Sequence, residues 1–158
     1  MVNDQSVMTV AEQKCLQQGI RFTKRRKQVL SVLIEADIAL SAYEIAERCN
    51  ADSDSNMPAM SVYRILDLFQ EQNFIHKLEI ANKYVCCSHI SCSHEHDRSQ
   101  FLICGSCRHV EEINLSEDAV KSLQTAASAA GFSAISPQLE IKGRCAQCEQ
   151  SEDQAVTL

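Results

Sequence analysis

Apolar side chains recur three and four positions apart as far as Phe69, and beyond Asn73 the spacing shortens to the alternation of strands. Thr9 to Glu12 reads as a T-x-x-E capping box and Gly19 as a stop, which predicts a first helix of about ten residues. Thr23 caps a second helix carrying Val29, Leu30, Leu33 and Ile34 on one face. Ser41 to Glu44 is another capping box, opening a third with Ile45, Ala46 and Cys49 turned inward. A polar loop, ADSDSN, follows. Val62, Ile65, Leu66 and Phe69 then mark a fourth helix over 58–73, and IHKLEI and KYVCC read as two strands joined at Ala81 and Asn82. Helices followed by a hairpin predict a winged helix-turn-helix over residues 1–87.

The rest of the chain follows a different pattern. Residues 88–97 are polar and rich in metal-ligand types, and predict a hinge. FLIC and HVEEIN are short apolar strands, Ser116 to Ala130 an Ala-rich helix closed by Gly131, and FSAISPQLEI a long strand. This predicts a small α/β domain over 98–150 and a disordered tail over 151–158, so the fold class is α+β. The second domain holds few large apolar residues, and a metal staple plus pairing with another copy would supply the missing stability.

Composition adds limits. With 158 residues, 45% hydrophobic and 23% charged, the chain is globular, and no apolar run suits a membrane span. Nothing near Met1 resembles a signal peptide, which leads to the expectation of a cytoplasmic protein. The formal charge of −6 argues against nucleic acid at first sight. Its distribution answers that: through Val85 there are ten Lys and Arg against eleven Asp and Glu, and afterwards five against ten. Arg21, Lys24, Arg25, Arg26 and Lys27 are a cationic run beside a helix start.

Nine cysteines in a reducing compartment point to thiolate ligands and a few inert core thiols, and Cys15 and Cys49 fall on helical stretches as packing residues. Cys104/Cys107 and Cys145/Cys148 are two Cys-x-x-Cys pairs with 37 residues between them. Four such thiolates form a closed tetrahedral Zn²⁺ site with no position for water. Disulfides or a redox pair are the weaker readings, since Gly105 and Ser106 suit a zinc knuckle. A second crowd comprises His76, Cys87, His94, His96 and Glu112, five candidates for about four positions. Residues from the wing, the hinge and the second domain can converge only where the domains meet, and mixed nitrogen, sulfur and oxygen donors suit zinc at moderate affinity. Cys86 and Cys87 leave a strand on opposite faces, so one of them ligates. His89, Cys92 and His109 stay unassigned, with His109 read as a surface residue.

Tyr63-Arg64 within PAMSVYRILDLF, the stretch NFIHKLE, the hinge HEHD, and FLICGSC with a distant CAQC resemble the ferric uptake regulator family over nearly the whole chain. The resemblance implies an N-terminal winged helix, a C-terminal dimerisation domain, a structural Cys₄ zinc and an interdomain sensor site. It carries the structural role to Cys104, Cys107, Cys145 and Cys148, and the sensor role to His76, Cys87, His96 and Glu112, with His94 as a competing or additional ligand. Tyr43, Tyr63 and Arg64 match residues that meet DNA; Ser61 stands beside them, and Lys24 and Arg25 supply positioning charge. A thiolate at Cys87 favours zinc over iron.

These readings converge on a zinc-responsive, homodimeric transcriptional repressor that binds double-stranded operator DNA, carries about two Zn²⁺ per subunit and acts on no small-molecule substrate or membrane. An iron or peroxide sensor is the rival within the family. A zinc hydrolase with Glu112 as general base is the rival outside it.

Overall fold

The computed structural model describes residues 4–36, 38–51, 56–88, 90, 99–133 and 138–153. The chain divides into two compact units, Met1–His94 and Glu95–Leu158, a division that falls inside the 88–97 segment.

In the first unit, α1 (Asp4–Gln17), α2 (Lys24–Ile34), α3 (Ala42–Ala51) and α4 (Ala59–Glu71) precede an antiparallel hairpin of β1 (Ile75–Leu78) and β2 (Lys83–Cys86). α1 begins upstream of Thr9, so the T-x-x-E box does not cap it. Two packing facts explain this. Val7, Ala11 and Cys15 form a buried stripe that requires the earlier turn, and the Glu12 carboxylate is taken by Lys27 of α2 at 2.7 Å. Gly19 ends the helix as expected: its φ is +69°, and the Ile20 amide donates to Cys15 O at 2.8 Å. Thr23 caps α2 by accepting from the Arg26 amide. At α3 the capping box closes in both directions, Ser41 N donating to Glu44 Oε2 at 2.7 Å and Glu44 N to Ser41 Oγ at 3.2 Å.

α4 buries Val62, Leu66 and Phe69, with Ile65 only half-buried. Phe69 stacks at tilted angles on Phe22 and Phe74, with centroids 6.3 and 5.7 Å away. Truncating it to alanine would cost about 3–5 kcal/mol. Asn73, at φ 55°, ends the helix and turns the chain into β1. The first strand stops at Leu78, so Glu79 and Ile80 belong to the turn and not to the strand expected there. Leu40 and Tyr84 exchange backbone hydrogen bonds of 3.0 and 2.8 Å, fastening β2 to the chain ahead of α3.

The second unit is a three-stranded sheet in the order β4-β3-β5, from β3 (Ser99–Cys104), β4 (Val110–Asn114) and β5 (Leu139–Gly143), with α5 (Glu117–Ala129) as the crossover. β3 runs antiparallel to β4 and parallel to β5. Ser116 caps α5 and Gly131, at φ +86°, follows its end. The long strand expected from Phe132 is shorter: Phe132 and Ser133 lie outside it, 134–137 fall outside the described residues, and pairing begins at Leu139. The tail reading also changes, because α6 (Ala146–Asp153) continues past Glu149 into the segment expected to be disordered. A helix of Ala, Gln and Glu has backbone propensity without an apolar stripe, so hydrophobic periodicity does not reveal it.

Candidate metal centre and nucleic-acid interface

Cys104 is the last residue of β3, and its parallel partner in β5 is Gly143, two residues ahead of Cys145. That register brings the two cysteine pairs together. Between Cys104 and Cys107 the chain turns tightly: Arg108 N donates to Cys104 O at 3.1 Å, Arg108 takes φ 66°, and Gly105 N donates to Gly143 O at 2.9 Å. Cys145 immediately precedes α6, so Cys148 lies on its first turn, where Glu149 N donates to Cys145 O. All four Sγ atoms lie within 4.8 Å of one another. A ZnS₄ tetrahedron with bonds of about 2.3 Å has edges of about 3.8 Å, so the cluster matches the size of that ion's shell. The Cys107–Cys145 sulfur separation of 3.6 Å is far beyond a disulfide bond.

The electrostatics favour a cation as well. The amides of Cys107, Cys145 and Ser106 pull the Cys104 thiol down to about 5. Hydrogen bonding to the sulfurs of Cys107 and Cys145 pushes Cys148 up to about 12. Without a cation, four sulfurs this close cannot all ionise; a divalent ion replaces the shared protons and lets them. The second pair does sit at a helix start after a strand, the setting of redox dithiols, yet its raised Cys148 and its two extra sulfur neighbours suit metal and not exchange.

In the first unit, His76 on β1 pairs with Val85, and Cys87 follows β2 with its amide donating to Phe74 O at 2.9 Å. Cys87 is two positions beyond Val85, so His76 and Cys87 share one face of the hairpin. Both are buried, and their donor atoms come within 4.8 Å of each other. Cys86 takes the opposite face and packs against the core. In the second unit, Glu112 on β4 is half-buried and accepts from Ser99 Oγ at 2.6 Å. His89, Cys92, His94 and His96 lie outside the described residues. His109 is exposed, 3.2 Å from Glu111. Burial pushes the Cys49 thiol up to about 11 and also raises Cys15, as befits core residues.

The other candidates gather on the open sides of α2, α3 and α4. Arg64 is exposed, and Ser61 and Tyr63 are half-buried. Tyr43, on the first turn of α3, is exposed and stands edge-on to Tyr63, centroids 6.2 Å apart at 85°. Lys24 and Arg25 are exposed at the start of α2, whose first turn holds no acid. Two further cations of the run, Arg26 and Lys27, are committed elsewhere. Arg26 donates to Arg21 O, and Lys27 pairs with Glu12 while lying 5.7 Å over the Phe22 ring. Met60, absent from the residues singled out by sequence, lies in the first turn of α4 and is 66% exposed. Its signal was available: at 100° per residue it falls about 160° from Val62, off the apolar stripe.

The model of the Ferric uptake regulator family matches residues 17–142. The chain is 34% identical over 148 residues to the zinc uptake regulation protein of Escherichia coli (strain K12), an alignment covering 94% of this chain and 84% of that one. It is 29% identical over 143 residues to the ferric uptake regulation protein of Helicobacter pylori (strain ATCC 700392 / 26695), covering 85% of each. Among solved structures, a zinc uptake regulator complexed with zinc and DNA aligns with a TM-score of 0.79 at 31% identity, covering 97% of this chain and 99% of that one.

Proposed function

The chain belongs to the ferric uptake regulator family of DNA-binding transcription regulators, and on that basis we propose that it is a zinc-responsive repressor which binds operator DNA as a zinc-loaded homodimer and silences genes for zinc uptake. The protein binds zinc, and we assign about two ions per subunit. One is structural, held by Cys104, Cys107, Cys145 and Cys148. The other is the signal, taken by His76, Cys87, Glu112 and one or both of His94 and His96. Zinc, when bound, supplies a fixed link among side chains from distant parts of the chain.

The observation that carries the zinc assignment is the buried thiol of Cys87 beside His76 on one face of the hairpin. Sulfur with imidazole prefers zinc to manganese and weakens the case for an oxygen-rich iron site. DNA contact falls to Arg64 at base edges, Tyr43, Tyr63 and Ser61 on the backbone, and Lys24 and Arg25 as positioning charge. A symmetric dimer presents two such surfaces to half-sites about 34 Å apart. Metal and DNA then favour one conformation, so operator DNA tightens zinc binding by the factor by which zinc tightens DNA binding. Such work belongs in the cytoplasm. The hydrolase reading gives way because this is a family of transcription regulators.

The test is to select duplexes from a random pool with the zinc-loaded protein, then titrate the winner against buffered free zinc, iron and manganese while counting bound metal. Binding should rise at least 100-fold with zinc, an effect of about 3 kcal/mol. A response to iron at lower free concentration than to zinc would shift the assignment to the iron sensors.

A further inference from the structure

α4 completes its share of the core with Val62, Leu66 and Phe69, all fully buried, and yet sets a large apolar side chain, Met60, in solvent at its first turn. Packing does not explain that placement, since Met60 contributes nothing to the core by standing there. On the helical wheel Met60 lies about 40° from Arg64, one turn earlier on the same stripe. The charge along this stripe is uneven. The first turn holds no acid, Arg64 follows, and Asp67 and Glu71 occupy the later exposed positions. Phosphates are therefore repelled from the far end of α4 and tolerated at its start, so the first two turns are the part that can approach a duplex. Tyr43 of α3 and Tyr63 of α4 stand edge-on to each other beside this stripe.

We infer that Met60 is a specificity-determining residue which reads the 5-methyl group of a thymine in each operator half-site, next to the base met by Arg64. The inference rests on the operator-binding reading above and adds to it the identity of one base. The chemistry is selective, because thymine alone presents an apolar group on the floor of the major groove. An unbranched, polarisable thioether adapts its shape to such a group at little cost. A Met60 lying only on sugar or phosphate would give affinity without sequence preference, which the test separates.

Duplexes are first selected from a random pool by the zinc-loaded wild-type protein. Each thymine of the winning duplex is then replaced in turn by deoxyuridine, which deletes one methyl and keeps the base pair. Wild type should lose about fourfold at one thymine per half-site, and about 15-fold when both are replaced, the worth of one buried methyl-sized contact each. Met60→Ala should bind the unmodified duplex as weakly as wild type binds the doubly substituted one, and deoxyuridine at those positions should cost it nothing further. Met60→Leu, which keeps an apolar side chain, should retain the methyl sensitivity. Wild type indifferent to deoxyuridine at every position, or Met60→Ala as sensitive as wild type, would overturn the inference while leaving operator binding intact. A selection that enriched no sequence would overturn the operator-binding reading and this inference with it.

Discussion

Glu44 serves two contacts with one carboxylate: it closes the Ser41 capping box, and it receives Lys83 of the hairpin at 2.8 and 3.0 Å. The Lys83 hydrogen bond and then the Ser41 amide hold its carboxyl down at about 2. A depressed carboxyl stabilises the fold only while ionised. Its contribution is complete above the unfolded value of about 4.3 and is lost as pH falls toward about 2. The group is partly exposed, so the pair and the cap together contribute about 1–2 kcal/mol. Glu44→Gln keeps an amide oxygen that still accepts from the Ser41 amide, and so loses only the charge. In urea denaturation it should be less stable than wild type by about 1 kcal/mol from pH 7 down to about 4.3, and the gap should narrow below it. A gap unchanged at pH 3 would contradict the assignment. The box was legible because Ser and Glu stand three apart; Lys83, 39 positions later, was not, because nothing local announces a contact between a helix start and a wing. The exposure of Arg64 was legible for a local reason, its place opposite the apolar stripe of Val62, Leu66 and Phe69. Arg64→Ala should cost about 1–3 kcal/mol of operator affinity per half-site in gel-shift titration, with the salt slope and dimer otherwise kept.

At the scale of elements, the connection from α3 to α4 decides where α4, the proposed reading helix, points, and one side chain brackets it. Asn50 receives the Met57 amide at 2.7 Å and donates to the Met57 carbonyl at 3.1 Å, while the Met57 side chain is buried. Pro58, the residue before α4, brings no side-chain cap, so the bracket fixes the helix entry instead. Asn50→Ala leaves both main-chain groups without their partner and should lower stability by about 1–3 kcal/mol. It should also reduce the ratio of specific to non-specific DNA affinity, since a tilted α4 keeps its charge and loses its register. Equal losses on specific and random duplexes would mean that Asn50 only stabilises. The helices themselves were readable from period and caps. The start of α1 was not, because a local capping signal was outweighed by a buried stripe and an ion pair with α2. α6 escaped for want of any apolar stripe to read.

For the whole molecule, the two halves are stabilised by different means. The first has a continuous apolar core reaching from α1 to the hairpin, whereas in the second, among the described residues, burial is confined to β3, and α5 buries nothing. On the proposed reading, a zinc ion held by the four-sulfur cluster and the partner copy of a dimer would make up the difference. Cys148→Ser should therefore lose the structural zinc, on the order of 10 kcal/mol of folding free energy, and with it the dimer; a dimeric mutant with an unchanged Tm would count against it. The cysteine spacing made that cluster legible in advance. For the proposed responsive set, strand alternation puts His76 and Cys87 on one face, while His94 and His96 lie outside the described residues and their spacing fits either. The two sites should separate cleanly under mutation. Cys87→Ser removes the sulfur donor from one face of a hairpin whose core lies on the other, so it should keep the fold, the dimer and the Cys₄ zinc. Zinc affinity at the responsive set should fall more than manganese affinity, because the lost donor is the soft one. Operator affinity of this mutant, followed across buffered free zinc with metal stoichiometry in parallel, should stay at the weak, metal-free level throughout the range in which wild type switches. Full operator affinity at the wild-type zinc concentration would remove Cys87 from the responsive set and with it the chief reason for naming zinc as the signal.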